Sequence, residues 1–161
     1  MATALLAAAE RKKVGMLIPP PVLAGALAKL GVLAQVVWLG GLSFSLMRSV
    51  IGGLLLAAAL GLVIACGRLF KRAGTPVRPT SPVTAIVQRG PYSFSRNPMY
   101  LGMALGLAGL GIVLGSYCIA AAALVFLAVV HHTVVLPEER YLERLHGEAF
   151  RRYKQQVSRW I

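Results

Sequence analysis

The sequence predicts an all-α membrane protein with about four transmembrane helices, a cytoplasmic loop and a charged C-terminal helical tail. Three observations predict it. Of 161 residues, 57% are hydrophobic and only 14% charged, where a soluble domain is about half apolar and about a quarter charged. The charges cluster at the edges of long uncharged runs, which makes lipid the solvent for much of the chain. Between the second and third runs lies a stretch of proline, glycine and basic residues too polar and too broken to enter a bilayer.

The first segment, 1–16, is a short basic tail ending near Arg11, Lys12 and Lys13. The apolar run after it is too long for the core of a cleavable leader, so the first span is expected to act as an uncleaved targeting signal. Pro19, Pro20 and Pro21 mark a helix start, because a proline in the first turn forgoes no hydrogen bond. The run from Val22 to about Leu46 can cross about 30 Å of hydrocarbon at about 1.5 Å per residue. Lys29 and Gln35 interrupt it, and Lys29 is expected to snorkel to the interface. A second span covers about Val50 to Phe70, with Arg48 in the turn before it.

Residues 71–98 read KRAGTPVRPTSPVTAIVQRGPYSFSRNP. Pro79, Pro82, Pro91 and Pro98 break the stretch into turns, and connections of this length are usually functional or disordered. A third span runs from Met99 to about Gly115. Gly102/Gly106 and Gly111/Gly115 have the spacing that lets membrane helices approach closely; close approach to a ligand is the other use of such glycines. The fourth span runs from about Tyr117 to Leu136, barely separated from the third, so the two form a tight hairpin. Residues 137–161 are amphipathic. Glu148 and Arg152 have the favourable helical order, and Gly147 separates two helices. The whole chain, 1–161, reads as a single membrane domain whose polar chemistry lies in about 75–161.

The net charge of +12 could suggest nucleic acid, but here the basic residues flank apolar runs instead of lining a soluble face. They set topology and attract anionic lipid headgroups. Arg11, Lys12 and Lys13 precede span one, and Arg68, Lys71, Arg72, Arg78, Arg89 and Arg96 lie between spans two and three. Arg140, Arg144, Arg151, Arg152, Lys154 and Arg159 follow span four. This distribution puts both termini, the long loop and the tail on the cytoplasmic side of a multi-pass protein. Cys66 and Cys118 sit in apolar runs and read as small buried hydrophobes.

The hairpin brings Tyr92–Tyr100 beside Pro137–Glu143. Glu138 and Glu139 point about 100° apart on a helix, so one can face the bundle while the other meets water, Arg140 or Arg144. An inward carboxylate is costly without a partner. Arg96 and Asn97 read either as a topology-setting helix start or as the polar wall of a pocket. His131 and His132 lie deep in span four, either bonded to a neighbouring helix or catalytic. With His146 they lack metal spacing, and no metal site is expected. There is no phosphate-binding glycine loop, no Rossmann pattern and no hydrolase triad. Any cofactor must therefore sit in the bundle under the loop and tail.

Two blocks, IVQRGPYSFSRNPMYLG (86–102) and EERYLERLHGEAFRRYKQQVSRW (138–160), resemble the isoprenylcysteine carboxyl methyltransferase family and the related phospholipid N-methyltransferases. The resemblance covers about 75–160. It implies an S-adenosyl-L-methionine site without a Rossmann domain and a lipid-like or isoprenoid acceptor. Carried over residue by residue, Thr84, Ala85, Ile86 and Val87 would contact the cofactor through backbone. Tyr92, Asn97, Pro98, Met99, Tyr100, Glu138 and Glu139 would complete its site, with Arg96, Tyr100 and Glu138 as the catalytic set. Asn97 stands where the family often has histidine, and so does Thr84. Val134 replaces the arginine that would hold a prenylcysteine carboxylate, which weighs against that substrate. Aromatic faces can stabilise a sulfonium, and a carboxylate can hold the cofactor's ammonium or ribose hydroxyls.

Two other functions share features of this chain. Sterol-type NADPH-dependent reductases carry a similar RNPxYxG block but are longer. Four-span multidrug transporters need an intramembrane acid, and spans one to three contain no Asp or Glu.

Overall fold

The computed structural model describes residues 18–74 and 87–161. The basic tail and residues 75–86 of the polar loop, and with them Thr84, Ala85 and Ile86, lie outside the described residues. Everything regular among the described residues is helical: α1 (Pro20–Leu39), α2 (Leu46–Arg72), a 3-10 turn (Gly90–Ser93), α3 (Pro98–Val113), α4 (Tyr117–Val130), a π-helical stretch (His131–Val135), α5 (Leu136–His146) and α6 (Glu148–Gln156). Three helical segments, Pro20–Leu39, Leu46–Arg72 and Tyr117–His146, are long and apolar enough to cross a membrane. The remaining expected span, α3, has 16 residues, about 24 Å of helix.

Three boundaries differ from the sequence expectation. The second span was expected to begin at about Val50 with Arg48 in the turn before it, but α2 begins at Leu46 and takes Arg48 into the helix. The first span was expected to reach Leu46 but ends at Leu39, where Gly40 and Gly41 take φ values of 80° and 107°. Only glycine adopts such angles without strain. The last span was expected to end at Leu136, but helical residues continue to His146. Pro137 explains the π-helical stretch His131–Val135. It has no N–H to donate and its ring crowds the carbonyl four residues back. The helix answers by widening locally, as membrane helices do at proline.

The described residues divide into two compact units, with boundaries inside α2, at the start of α3 and at the π-helical stretch. The apolar unit comprises residues 18–63 and 99–130. Its helices meet through small residues. A Cβ on Gly52 would fall 2.6 Å from the Gly109 carbonyl oxygen and from Val113. The glycines singled out by spacing serve packing too: Gly102 faces Val63 and the Ala59 carbonyl, and Gly111 faces Ala120. A buried polar link in this unit is Gln35, only 4% exposed. Its Nε2 donates to the Gly41 carbonyl at 3.2 Å, and its Oε1 accepts from Ser116 Oγ at 3.2 Å. Ser116 Oγ in turn accepts the Ile119 N–H at 3.2 Å, capping α4.

The polar unit holds the end of α2, residues 87–98 and residues 131–161. Phe150, Tyr153 and Val157 form its core with Leu142, which is why the short, charged α6 is stable: its apolar stripe is covered. Tyr92 is buried and meets Phe70 edge-on at 5.4 Å. Lys154 Nζ bonds Glu143 at 2.9 Å and Arg151 Nε bonds the same carboxylate at 3.2 Å, tying α5 to α6 across Gly147.

Candidate active site

The site residues described here belong to the polar unit, except Met99 and Tyr100, which lie on the first turn of α3 and fall in the apolar unit. The 3-10 turn presents Tyr92. Ser95 then turns the chain: its Oγ accepts the Asn97 N–H at 3.1 Å, a local bond that favours a turn over an early helix start. Pro98 opens α3. Arg96 and Asn97 are thereby held in a short non-helical stretch immediately before a helix.

That stretch is stitched to the C-terminal segment. The Arg96 N–H donates to the Ser158 carbonyl at 3.0 Å, Asn97 Nδ2 donates to the Arg159 carbonyl at 3.0 Å, and the Tyr153 hydroxyl donates to the Tyr92 carbonyl at 2.8 Å. Asn97 thus uses its side-chain amide to fix the chain just before Trp160. The Tyr92 ring lies against Phe70 and its carbonyl is taken by Tyr153, so Tyr92 is built into the wall of the unit.

The charged centre is Glu139, 7% exposed. Arg96 Nη1 lies 2.8 Å from its Oε1, and Arg159 reaches it through Nε at 3.1 and 3.2 Å and through Nη2 at 2.9 Å. Of the two adjacent glutamates, Glu139 is therefore the one turned inward, and Glu138 is half-buried on the preceding position of the same helical turn. Arg140 is exposed. Burial lowers the Arg96 pKa from its ordinary value, and the Glu139 carboxylate opposes that shift. Arg159, hydrogen-bonded to the same carboxylate, has its pKa raised. Burial pushes the Tyr153 phenol up to about 12.

His131 opens the π-helical stretch. Its ring is 4.9 Å from His132 and 6.0 Å from Trp160, and its Nδ1 is buried without a hydrogen-bond partner. Val87 is half-buried at the start of the described stretch before the 3-10 turn. Among the described residues no group of three His, Cys, Asp or Glu could hold a metal ion.

The sequence reading named Tyr92, Arg96, Asn97 and Glu139 as site residues, and in the structure all four are tied to residues 153–159 of the C-terminal segment. Arg159, Tyr153 and Trp160 were missed. Their signal was their place in the second methyltransferase-like block, 138–160.

A multi-helix membrane protein with a buried carboxylate, Glu139, on its last long helix, clamped to an arginine before the preceding apolar helix, is the class that this fold and site define. The chain belongs to the phospholipid methyltransferase family, whose model matches residues 47–149. Its membership makes it a membrane methyltransferase. A 63-residue stretch, 39% of this chain, is 36% identical to an uncharacterized protein of Haemophilus influenzae and covers 100% of that protein. No solved structure matches the chain.

Proposed function

We propose that the chain transfers a methyl group from S-adenosyl-L-methionine to an apolar, lipid-like acceptor held in the membrane. The observation that carries this reading is the family match over residues 47–149, which takes in both the Tyr92–Tyr100 stretch and the Glu138–Glu139 pair. The donor set suits such a cofactor. Glu138, half-buried at the N-terminal turn of α5, offers a carboxylate to an ammonium or to ribose hydroxyls. Tyr100 offers an aromatic face to a sulfonium. By resemblance, the backbone of Thr84, Ala85, Ile86 and Val87, with Asn97, Pro98 and Met99, would contact the rest of the cofactor.

When bound, the cofactor supplies an activated methyl group. The protein's work is then to position donor and acceptor in line and to keep water out, which can supply much of the rate without covalent catalysis. Glu138 orients the donor. Arg96 and Glu139 hold the loop that carries Asn97 and Pro98 against the C-terminal segment. An apolar acceptor enters sideways between helices, and the cofactor enters from the cytoplasm, where both termini and the loop lie by the distribution of positive charge.

The test is calorimetry of S-adenosyl-L-methionine binding to the detergent-solubilised protein, with transfer of labelled methyl to lipid extracts followed by mass spectrometry. Glu138→Ala is expected to abolish cofactor binding while the protein still inserts. Unchanged affinity in that variant rejects the assignment of Glu138, and an unlabelled extract with wild-type protein rejects the lipid acceptor.

A further inference from the structure

Within the trio of Arg96, Glu139 and Arg159, two fixed positive charges meet one carboxylate. The Arg96 side chain is 9% exposed. Its Nε and Nη1 are both buried without an aligned hydrogen-bond acceptor, although Nη1 lies 2.8 Å from Glu139 Oε1. Buried donors on a charged group are expensive to leave unmade. The aligned side-chain bonds that Glu139 accepts come from Arg159, through Nε and Nη2, and none reaches Arg96 Nε or Nη1. The trio is also reachable: the Arg159 side chain is 35% exposed, so one edge of the buried cluster opens to the surface.

We propose that Arg96 and Arg159 form an oxyanion subsite, with Glu139 as the brace that fixes the two guanidiniums, and that it takes a phosphodiester or carboxylate group of a bound ligand. Planar guanidiniums suit such groups because paired N–H donors match paired oxygens. Near the polar end of the last long helix, two sources offer that chemistry: the phosphodiester of a glycerophospholipid and the carboxylate of a soluble amino-acid-like ligand. The inference stands on side-chain geometry and does not depend on methyl transfer.

The experiment measures binding to the full chain in detergent with two matched pairs of probes. One pair is a short-chain phosphatidylethanolamine and the corresponding diacylglycerol, which lacks the phosphate. The other is S-adenosyl-L-methionine and its decarboxylated analogue. The wild type is expected to prefer the oxyanion-bearing member of one pair. Arg159→Lys, which keeps the charge but removes the fork, is expected to weaken that member roughly tenfold or more and leave its partner unchanged; Arg96→Lys, which also loosens the loop carrying Asn97 and Pro98, is expected to weaken that member more than its partner. Loss in the phospholipid pair assigns the site to a headgroup phosphate, and loss in the second pair assigns it to a donor carboxylate. If Arg96→Lys fails to fold, Arg159→Lys, altered at the exposed edge, decides the matter. No preference in either pair, or a preference that both variants retain, overturns the proposal. A wild type that discriminates between the lipids yet transfers no methyl group leaves the subsite standing and removes the methyltransferase reading instead.

Discussion

The apolar and polar units are built on opposite principles. In the first, helices approach until a single added Cβ would strike backbone, as at Gly52, and a buried glutamine adds a polar link. Stability is spread over many weak contacts, as expected where lipid is as apolar as the side chains and only close packing distinguishes partners. In the second, a few strong links carry the structure: one carboxylate between two guanidiniums and three hydrogen bonds to residues 92–97. The difference teaches where each half is fragile. The apolar unit is vulnerable to added volume and the polar unit to lost charge.

The largest effect is expected at Glu139. Glu139→Ala leaves a buried guanidinium without its counter-charge, a loss of roughly 3–5 kcal/mol. It should free the C-terminal segment to limited proteolysis and abolish activity. Wild-type protease resistance in that variant would contradict the account of the polar unit. Gly52→Val is the matching insult to the apolar unit. Overpacking there should cost about 1–3 kcal/mol, read as a lower midpoint for unfolding in mixed detergent. Gln35→Leu, which removes the links to Gly41 and Ser116, should cost about 0.6–1.7 kcal/mol by the same measurement.

The smallest effect sharpens the comparison by pH. The Tyr153 phenol is pushed up to about 12 by burial, against about 10 for a free tyrosine. The folded protein therefore holds this proton more tightly than the unfolded chain. Its contribution is complete below pH 10 and is lost as the pH rises through 12. Tyr153→Phe, which also deletes the bond to the Tyr92 carbonyl, should cost about 1 kcal/mol at neutral pH. Its stability should fall less steeply than that of the wild type between pH 10 and 12, and an identical slope would exclude Tyr153 as the source.

Hydrophobic length and charge placement alone determined that the chain is a helical membrane protein with a polar loop between its second and third apolar runs. They do so because crossing a bilayer demands about 20 apolar residues and internally bonded backbone, constraints written locally in the sequence. The two methyltransferase-like blocks were legible for the same reason, as were Arg96, Asn97 and the glutamate pair inside them. Tertiary structure alone decided which glutamate turns inward, that Asn97 grips the carbonyl of Arg159, and that Arg159 shares Glu139 with Arg96 across 63 positions of chain. Such pairings have no sequence periodicity. They depend on where two distant segments come to rest, and only the packed chain fixes that.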